Sequence, residues 1–118
     1  MYKIRTYNAI SEKGLNRFPQ DKYQIGSDIV DPEGYILRSQ KLHDEQVPES
    51  LVAVARAGAG VNNIPVADYT ERGIVVFNSP GANANAVKEL IVAGLLLGSR
   101  DIYGGMKYVQ ELVHMDDA

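Results

Sequence analysis

Cysteine is absent from this 118-residue chain, and histidine occurs only twice, at His43 and His114. The first absence excludes a disulfide scaffold, thiolate catalysis and the common structural zinc sites. The two histidines lie far apart and have no ligand-spaced companions, so no metal site is expected. An excess of basic charge is also missing: 12 Lys and Arg stand against 15 Asp and Glu, for a formal net charge of -3. That leaves no electrostatic footprint for nucleic acid or for an acidic membrane surface. Nor is there a long hydrophobic run. The most apolar stretch, Leu90 to Gly98, is flanked by Lys88-Glu89 and Arg100-Asp101 and falls far below the roughly 20 residues that cross a bilayer. The N-terminus opens on a charged, strand-like hexapeptide rather than a basic and then apolar leader, so no signal peptide is read and a cytoplasmic address is expected.

What is present is an ordinary balance of polar and apolar residues, in a chain long enough for one domain with a core and too short for two. Tyr2 to Tyr7 alternates as a strand does, Ser11 to Phe18 reads as a Ser-capped helix, and Tyr23 to Gly26 as a second strand. Asp31-Pro-Glu-Gly34 is turn chemistry. Tyr35 to Ser39 follows as a third strand, whose Tyr-Ile-Leu centre implies burial on both faces. Glu45 to Leu51 has weak helical character. Leu51 to Arg56 makes a fourth strand, Pro65 and Gly73 bracket a helix over Val66 to Arg72, and Ile74 to Phe77 makes a fifth strand. Strands alternating with helices imply a parallel sheet, and single-handed crossovers make it a doubly wound, flavodoxin-like α/β sandwich. Ligands of such folds gather at the carboxyl ends of the strands.

Two notable groups fall at those ends. Arg38 and Ser39 close the third strand; Arg56, followed by Ala57-Gly58-Ala59-Gly60, closes the fourth. Backbone amides around Ala59 and Gly60 belong to residues with a methyl or no side chain, and can hold a carboxylate as a nest does. Arg38 and Arg56 supply fixed charge and forked donors suited to carboxylate or phosphate, and Ser39 adds a hydroxyl. Taken singly, an Arg is usually a solvated surface residue and a Gly a turn former. Together at adjacent strand ends, they favour a small-anion site. The Gly58-Ala-Gly60 turn is not read as a dinucleotide fingerprint, because the third glycine position is Asn63, the helix after Pro65 has only two turns, and no acidic residue closes a strand near Phe77. Asn62 and Asn63 either orient the loop or cap that helix. A receiver-like module of the same shape needs clustered acids at the end of its first strand to hold magnesium, and this chain has Tyr7-Asn8-Ala9 there.

The words Arg56-Ala-Gly-Ala-Gly-Val-Asn-Asn63 and Asn78-Ser-Pro-Gly-Ala-Asn-Ala-Asn-Ala-Val-Lys-Glu-Leu90 resemble the D-isomer-specific 2-hydroxyacid dehydrogenase family. The resemblance covers nearly the whole chain, since the opening strand and Ile36 to Ser39 also fall where that family has them. It implies an oxidoreductase that transfers hydride between NAD and the hydroxyl-bearing carbon of a 2-hydroxy acid. It implies that Arg38, Ser39, Arg56, Gly58, Ala59 and Gly60 touch a small anionic substrate, and that Asn83, Asn85 and Val87 approach the nicotinamide. Lys88, close to the same place, is either a solvent-facing lysine or a second cation near the substrate. The cofactor fingerprint, the general acid/base and the orienting Arg of the family would follow Ala118. No catalytic residue is therefore assigned within these residues, NAD is not expected to bind them tightly, and the chain alone is expected to be inactive. The Arg38 and Arg56 pair favours a doubly anionic substrate, although other 2-hydroxyacid specificities share the glycine loop. A non-catalytic flavodoxin-like binding module is the alternative outside the enzymes.

By the same resemblance, residues 1–83 form the core of a substrate-binding domain, and 84–118 an apolar inter-domain helix with the start of a connection to a nucleotide-binding domain. Asn83 or Asn85 can cap that helix. Val87, Leu90, Ile91 and Leu95 form one apolar face, and Val92, Ala93, Leu96 and Leu97 another. Gly94-Leu-Leu-Leu-Gly98 admits a second helix at close range. A small sandwich covers one face only, so a homo-oligomer through Val87 to Leu97 is expected. A kink at Gly104-Gly105 and a short amphipathic helix should follow.

Overall fold

The computed structural model describes residues 1–115; residues 116–118 of the expected 84–118 segment lie outside them. The chain divides into two compact units, Met1–Ala82 and Asn83–Ala118. The first contains β1 (Tyr2–Thr6), α1 (Glu12–Leu15), β2 (Tyr23–Gly26), β3 (Gly34–Leu37), β4 (Ala53–Arg56), α2 (Val66–Glu71) and β5 (Val75–Phe77). All neighbouring strands pair in parallel, in the order β2-β1-β3-β4-β5. This is the flavodoxin-like order expected from the sequence. The chain winds outward from β1 in both directions, so the carboxyl ends of β1 and β3 part company and leave a crevice between them.

Pairing of Leu37 with Arg56 and of Tyr35 with Val54 sets which side chains share a face. Tyr35, Leu37 and Val54 point to one side, where Leu42, Leu51, Ile64, Tyr69 and Ile74 complete the buried core. Burying each such side chain contributes about 1.5–3 kcal/mol. Burial of β3 on both faces, expected from its apolar run, is only half realised: Tyr35 and Leu37 are buried, whereas Gly34 and Ile36 are intermediate. Beyond Ile36 on the same face lie Ala55 and Phe77, and Phe77 remains 57% exposed.

The expected helices shorten where local chemistry opposes them. Ser11 to Phe18 yields a single turn, and the Ser11 side chain makes no capping bond. Gly14 and Asn16 are poor helix formers, and Phe18 is biased away from helix by Pro19. Glu45 to Leu51 contains no helix, because Pro48 lacks an amide donor and constrains Val47 before it. Buried Leu42 and Leu51 instead pin that crossover at its ends. Helix α2 begins after Pro65 and ends before Gly73, whose φ of +77 is the left-handed value that glycine accepts without a side-chain clash. A bond between Arg72 Nε and Asp68 Oδ2 at 3.1 Å supports its last turn.

The second unit contains α3 (Ala84–Ser99) and α4 (Ile102–Leu112). Asn83 occupies the N-cap position of α3 but makes no side-chain cap bond, and Asn85 bonds Lys88 and Glu89 instead. The break falls at Arg100-Asp101 rather than at Gly104-Gly105, which lie inside α4. Asp101 adopts a φ of 46 and its Oδ1 accepts from the Gly104 amide at 3.2 Å, so a side-chain cap starts the new helix. Any Cβ at Gly104 would overlap that carboxylate. Among the described residues, no helix is long and apolar enough to cross a membrane.

Burial raises the phenols of Tyr35 and Tyr69 above their ordinary value of 10.0, with a hydrogen bond to Tyr7 adding to the effect at Tyr35. Above that value the folded chain holds protons that the unfolded chain has lost, so stability is constant below it with respect to these groups and declines as pH rises past it. Urea midpoints should therefore fall between about pH 8 and about pH 11, and Tyr35→Phe should flatten that decline relative to the parent chain.

Candidate functional site

Three loops meet at the carboxyl edge of the sheet. The first, after β1, turns at Asn8, which adopts a φ of 64. Asparagine tolerates this left-handed conformation better than most residues. The turn carries Asn8 Oδ1 to three successive amides, those of Arg38 at 3.2 Å, Ser39 at 3.0 Å and Gln40 at 3.0 Å. Three converging N–H groups form an anion-type nest, and here the protein fills it with its own side chain. From the other side, the Arg38 carbonyl accepts from Arg56 Nε at 2.8 Å and Asn63 Nδ2 at 3.2 Å, and the Gln40 carbonyl accepts from Asn63 Nδ2 at 2.7 Å. The loop after β3 is thus held on both its amide and its carbonyl sides. The Arg38 and Ser39 side chains are exposed and have no hydrogen-bond partner among the described residues.

The glycine loop after β4 is held by its carbonyls. Gly58 O accepts from the Ser79 amide at 3.0 Å, Ala59 O from Asn78 Nδ2 at 2.7 Å, and Gly60 O from Arg56 Nη1. The amides of Gly58, Ala59 and Gly60 donate to nothing among the described residues. Neither glycine has a positive φ. Their need is close approach: a Cβ on Gly58 would lie 3.3 Å from Arg56 Nε, and one on Gly60 3.0 Å from Arg56 Nη1. Arg56 therefore differs from the freely forked donor expected of it. Its Nε and Nη1 clamp two loops together, and Nη2 alone stays without a protein partner among the described residues.

A cavity of about 420 Å³ opens beside these loops, lined by Ser39, Lys41, His43, Arg56, Asn62 and Asn63. It contains no carboxylate. His43 Nε2 lies 2.9 Å from the Asn62 carbonyl, tying the loop after β3 to the glycine loop. A larger cleft of about 1050 Å³ runs along α2, but Asp31, Glu45 and Asp68 oppose Arg5 and Arg72 there, so it has no single electrostatic preference.

Of the residues expected at the site, the first unit brings Arg38, Ser39, Arg56, Gly58, Ala59 and Gly60 to adjacent strand ends. Asn83, Asn85, Val87 and Lys88 belong to the second unit and are exposed. Lys88 Nζ lies 2.6 Å from Asn85 Oδ1, and Asn85 Nδ2 lies 3.2 Å from Glu89 Oε1. Sequence reasoning missed the positioning by Asn8, Asn78 and Ser79, and the place of Lys41 and His43 in the cavity. A lone Asn between a strand and a loop was the available signal for Asn8. The glycine loop does not fit a dinucleotide: Asn63 takes the place of the third glycine and is buried, and α2 is only six residues long.

The family model described as D-isomer specific 2-hydroxyacid dehydrogenase, catalytic domain, matches residues 7–106. The chain is 38% identical over 82 residues to D-3-phosphoglycerate dehydrogenase of Archaeoglobus fulgidus, and 44% identical over 84 residues to that of Methanocaldococcus jannaschii. These alignments cover 67% and 69% of the chain, and in both cases 16% of the relative's own length. The structure superposes on a crystal structure of 3-phosphoglycerate dehydrogenase from Entamoeba histolytica bound to its cofactor NAD+, with a TM-score of 0.70 and 27% identity, covering 82% of this chain and 39% of that one.

Asn8→Ala should remove the acceptor shared by three amides and cost about 1–3 kcal/mol, the usual penalty for leaving such groups unpaired. Asn8→Asp keeps an acceptor in place and should retain most of that stability. Urea denaturation together with amide exchange at residues 38 to 40 checks both outcomes; unchanged protection in Asn8→Ala would refute the role.

Proposed function

This chain belongs to the D-isomer specific 2-hydroxyacid dehydrogenase family, and from that premise we propose that it is the substrate-binding portion of an NAD-dependent D-3-phosphoglycerate dehydrogenase. Such an enzyme oxidises 3-phosphoglycerate to 3-phosphohydroxypyruvate and opens serine synthesis, a cytoplasmic task. The observation that carries the reading is the outward-facing amide row of Gly58, Ala59 and Gly60 beside two cationic strand ends, Arg38 and Arg56. The amides and the free Nη2 of Arg56 receive the substrate carboxylate, and Arg38 with Ser39 closes over it. The relatives' names support the choice of a phosphorylated 2-hydroxy acid.

Residues 1–83 supply substrate contacts in this reading, and residues 84–118 lead towards the nucleotide-binding part. NAD belongs to that part, which supplies hydride acceptance and the general acid/base. Asn83, Asn85, Val87 and Lys88 approach the nicotinamide from the substrate side in the complete enzyme. The 118 residues alone turn over nothing. Helix α3 has no buried residue, and Leu90 and Leu95 are 75% and 67% exposed. We infer that a second copy of the chain covers Val87 to Leu97, because apolar side chains occupy more than one side of the helix.

Titration with 3-phosphoglycerate should shift the amide resonances of Gly58, Ala59 and Gly60, and Arg38→Ala should weaken binding about tenfold, as expected for one charge-assisted contact. Tighter binding of D-lactate than of 3-phosphoglycerate would move the chain to another specificity within the family. Light scattering at about micromolar concentration, where modest helix interfaces already associate, should report a dimer or larger; a monomer would refute the interface.

A further inference from the structure

Among residues 38–40, whose amides share Asn8 Oδ1, Gln40 is the one whose side chain has hydrogen-bond partners among the described residues. Its Nε2 donates to Glu45 Oε1 at 2.9 Å and lies 3.4 Å from the Lys41 carbonyl oxygen. The other oxygen of Glu45 accepts from the Tyr7 hydroxyl at 3.2 Å. Tyr7 precedes Asn8 in the chain, so these bonds close a ring. Asn8 holds the amides of the loop after β3, the last of those residues bonds Glu45, and Glu45 bonds the residue before Asn8. Behind Tyr7, Arg5 Nη1 lies 3.5 Å from the hydroxyl oxygen, and Arg5 Nε donates to the Ile29 carbonyl at 2.8 Å. Glu45 is fixed in turn by its own backbone. Its amide donates to the Leu42 carbonyl at 3.3 Å, and buried Leu42 donates its amide to the Asn63 carbonyl at 2.9 Å. A carboxylate suits this place because two donors converge on it, one to each oxygen, and an ionised carboxylate only accepts.

We propose that Glu45 is a positioning residue, which through Gln40 holds the loop after β3 in the conformation that presents Arg38 to an anionic substrate. The proposal rests on the substrate-binding reading and adds to it a residue that does not line the cavity beside the glycine loop. Glu45 lines the larger cleft along α2 instead, so its effect on binding passes through the loop. Asn8 and Asn63 tie the peptides of that loop to the segments after β1 and β4. Glu45 adds the crossover between β3 and β4, a third direction of restraint. Arg38 and Ser39 thereby keep their side chains free for a ligand, while Gln40 commits its own to the support.

A double-mutant cycle, read by calorimetry with 3-phosphoglycerate on the 118-residue chain, tests this. Glu45→Ala should weaken binding about fivefold, the size of an ordinary coupling within one hydrogen-bond network. Glu45→Gln, which keeps an acceptor for Gln40, should recover most of that affinity. In a chain that already carries Arg38→Ala, the same Glu45→Ala change should alter affinity by less than about twofold, because the side chain that the loop presents is gone. A merely structural role would lower the melting temperature and leave the affinity of the folded chain intact. Should a thermal melt show that Glu45→Ala does not fold, Gln40→Ala removes the same link, keeps the backbone bonds to Asn8, and carries the same expectations. Three outcomes overturn this inference and leave the broader reading standing: unchanged affinity in the folded variant, a loss that persists in full beside Arg38→Ala, or a Glu45→Gln chain as weak as Glu45→Ala. Failure of the parent chain to bind 3-phosphoglycerate overturns both.

Discussion

The glycine loop from Gly58 to Gly60 depends on one constraint, the direction in which its peptide units face. A loop after a parallel strand has no ladder to fix it, and its peptides can turn either way. Here each carbonyl is drawn inward by a specific donor: the Ser79 amide, the Asn78 side chain and Arg56. The amides of the same peptide units, those of Ala59, Gly60 and Val61, make no hydrogen bond among the described residues. Arg56 makes this possible by lying against the loop, where a Cβ at position 58 or 60 would crowd its guanidinium at 3.3 or 3.0 Å. The guanidinium and the glycines therefore form one device, in which a cation that contributes to the site's field also shapes its backbone.

A second nest shows the opposite choice. The amides of Arg38, Ser39 and Gln40 converge as those of an anion site do, yet Asn8 Oδ1 already occupies their focus. Filling that nest stabilises the turn and removes it from competition for ligands. It lies in the crevice between β1 and β3, where a flavodoxin-like sheet commonly binds its ligand. Amides without a protein partner among the described residues lie one strand further on, in the loop after β4. Asn63 joins the two, holding the carbonyls of residues 38 and 40 from a position within the β4 crossover.

Much of the fold was legible because it depends on period and punctuation. Alternating strand residues, Pro65 and Gly73 identified β4, α2 and β5 to within two residues, and parallel pairing followed from the crossovers. The misplaced elements share a cause: side-chain chemistry overrode a local pattern. Asp101 begins a helix by capping it in a left-handed conformation, where the adjacent glycines had suggested a kink. Pro48 excluded one helix, and Gly14 with Asn16 confined another to a single turn, although the apolar spacing of both was acceptable. The placement of Arg38, Arg56 and the glycines at adjacent strand ends was legible. The roles of Asn8, Asn78 and Ser79 were not, because each depends on a contact 19 to 32 residues away in sequence that only the register of the sheet creates.

That separation also explains why the site should be robust to changes in ligand yet sensitive to changes in its supports. Arg38 and Ser39 carry side chains with no internal partners among the described residues, so replacing them alters what is gripped without altering the loop. Arg56, Asn8 and Asn63 are different: each satisfies backbone groups that would otherwise be unpaired near a partly buried sheet edge. Removing Arg56 would release the Gly60 carbonyl and leave the Arg38 carbonyl to Asn63 alone, allowing the peptides of the glycine loop to turn. Loss of binding in such a variant would come from backbone rotation as well as from a missing charge. A lysine at position 56 would preserve the charge and still lose the clamp between the two loops, because an ammonium cannot bond two carbonyls with the fixed spacing of a guanidinium fork.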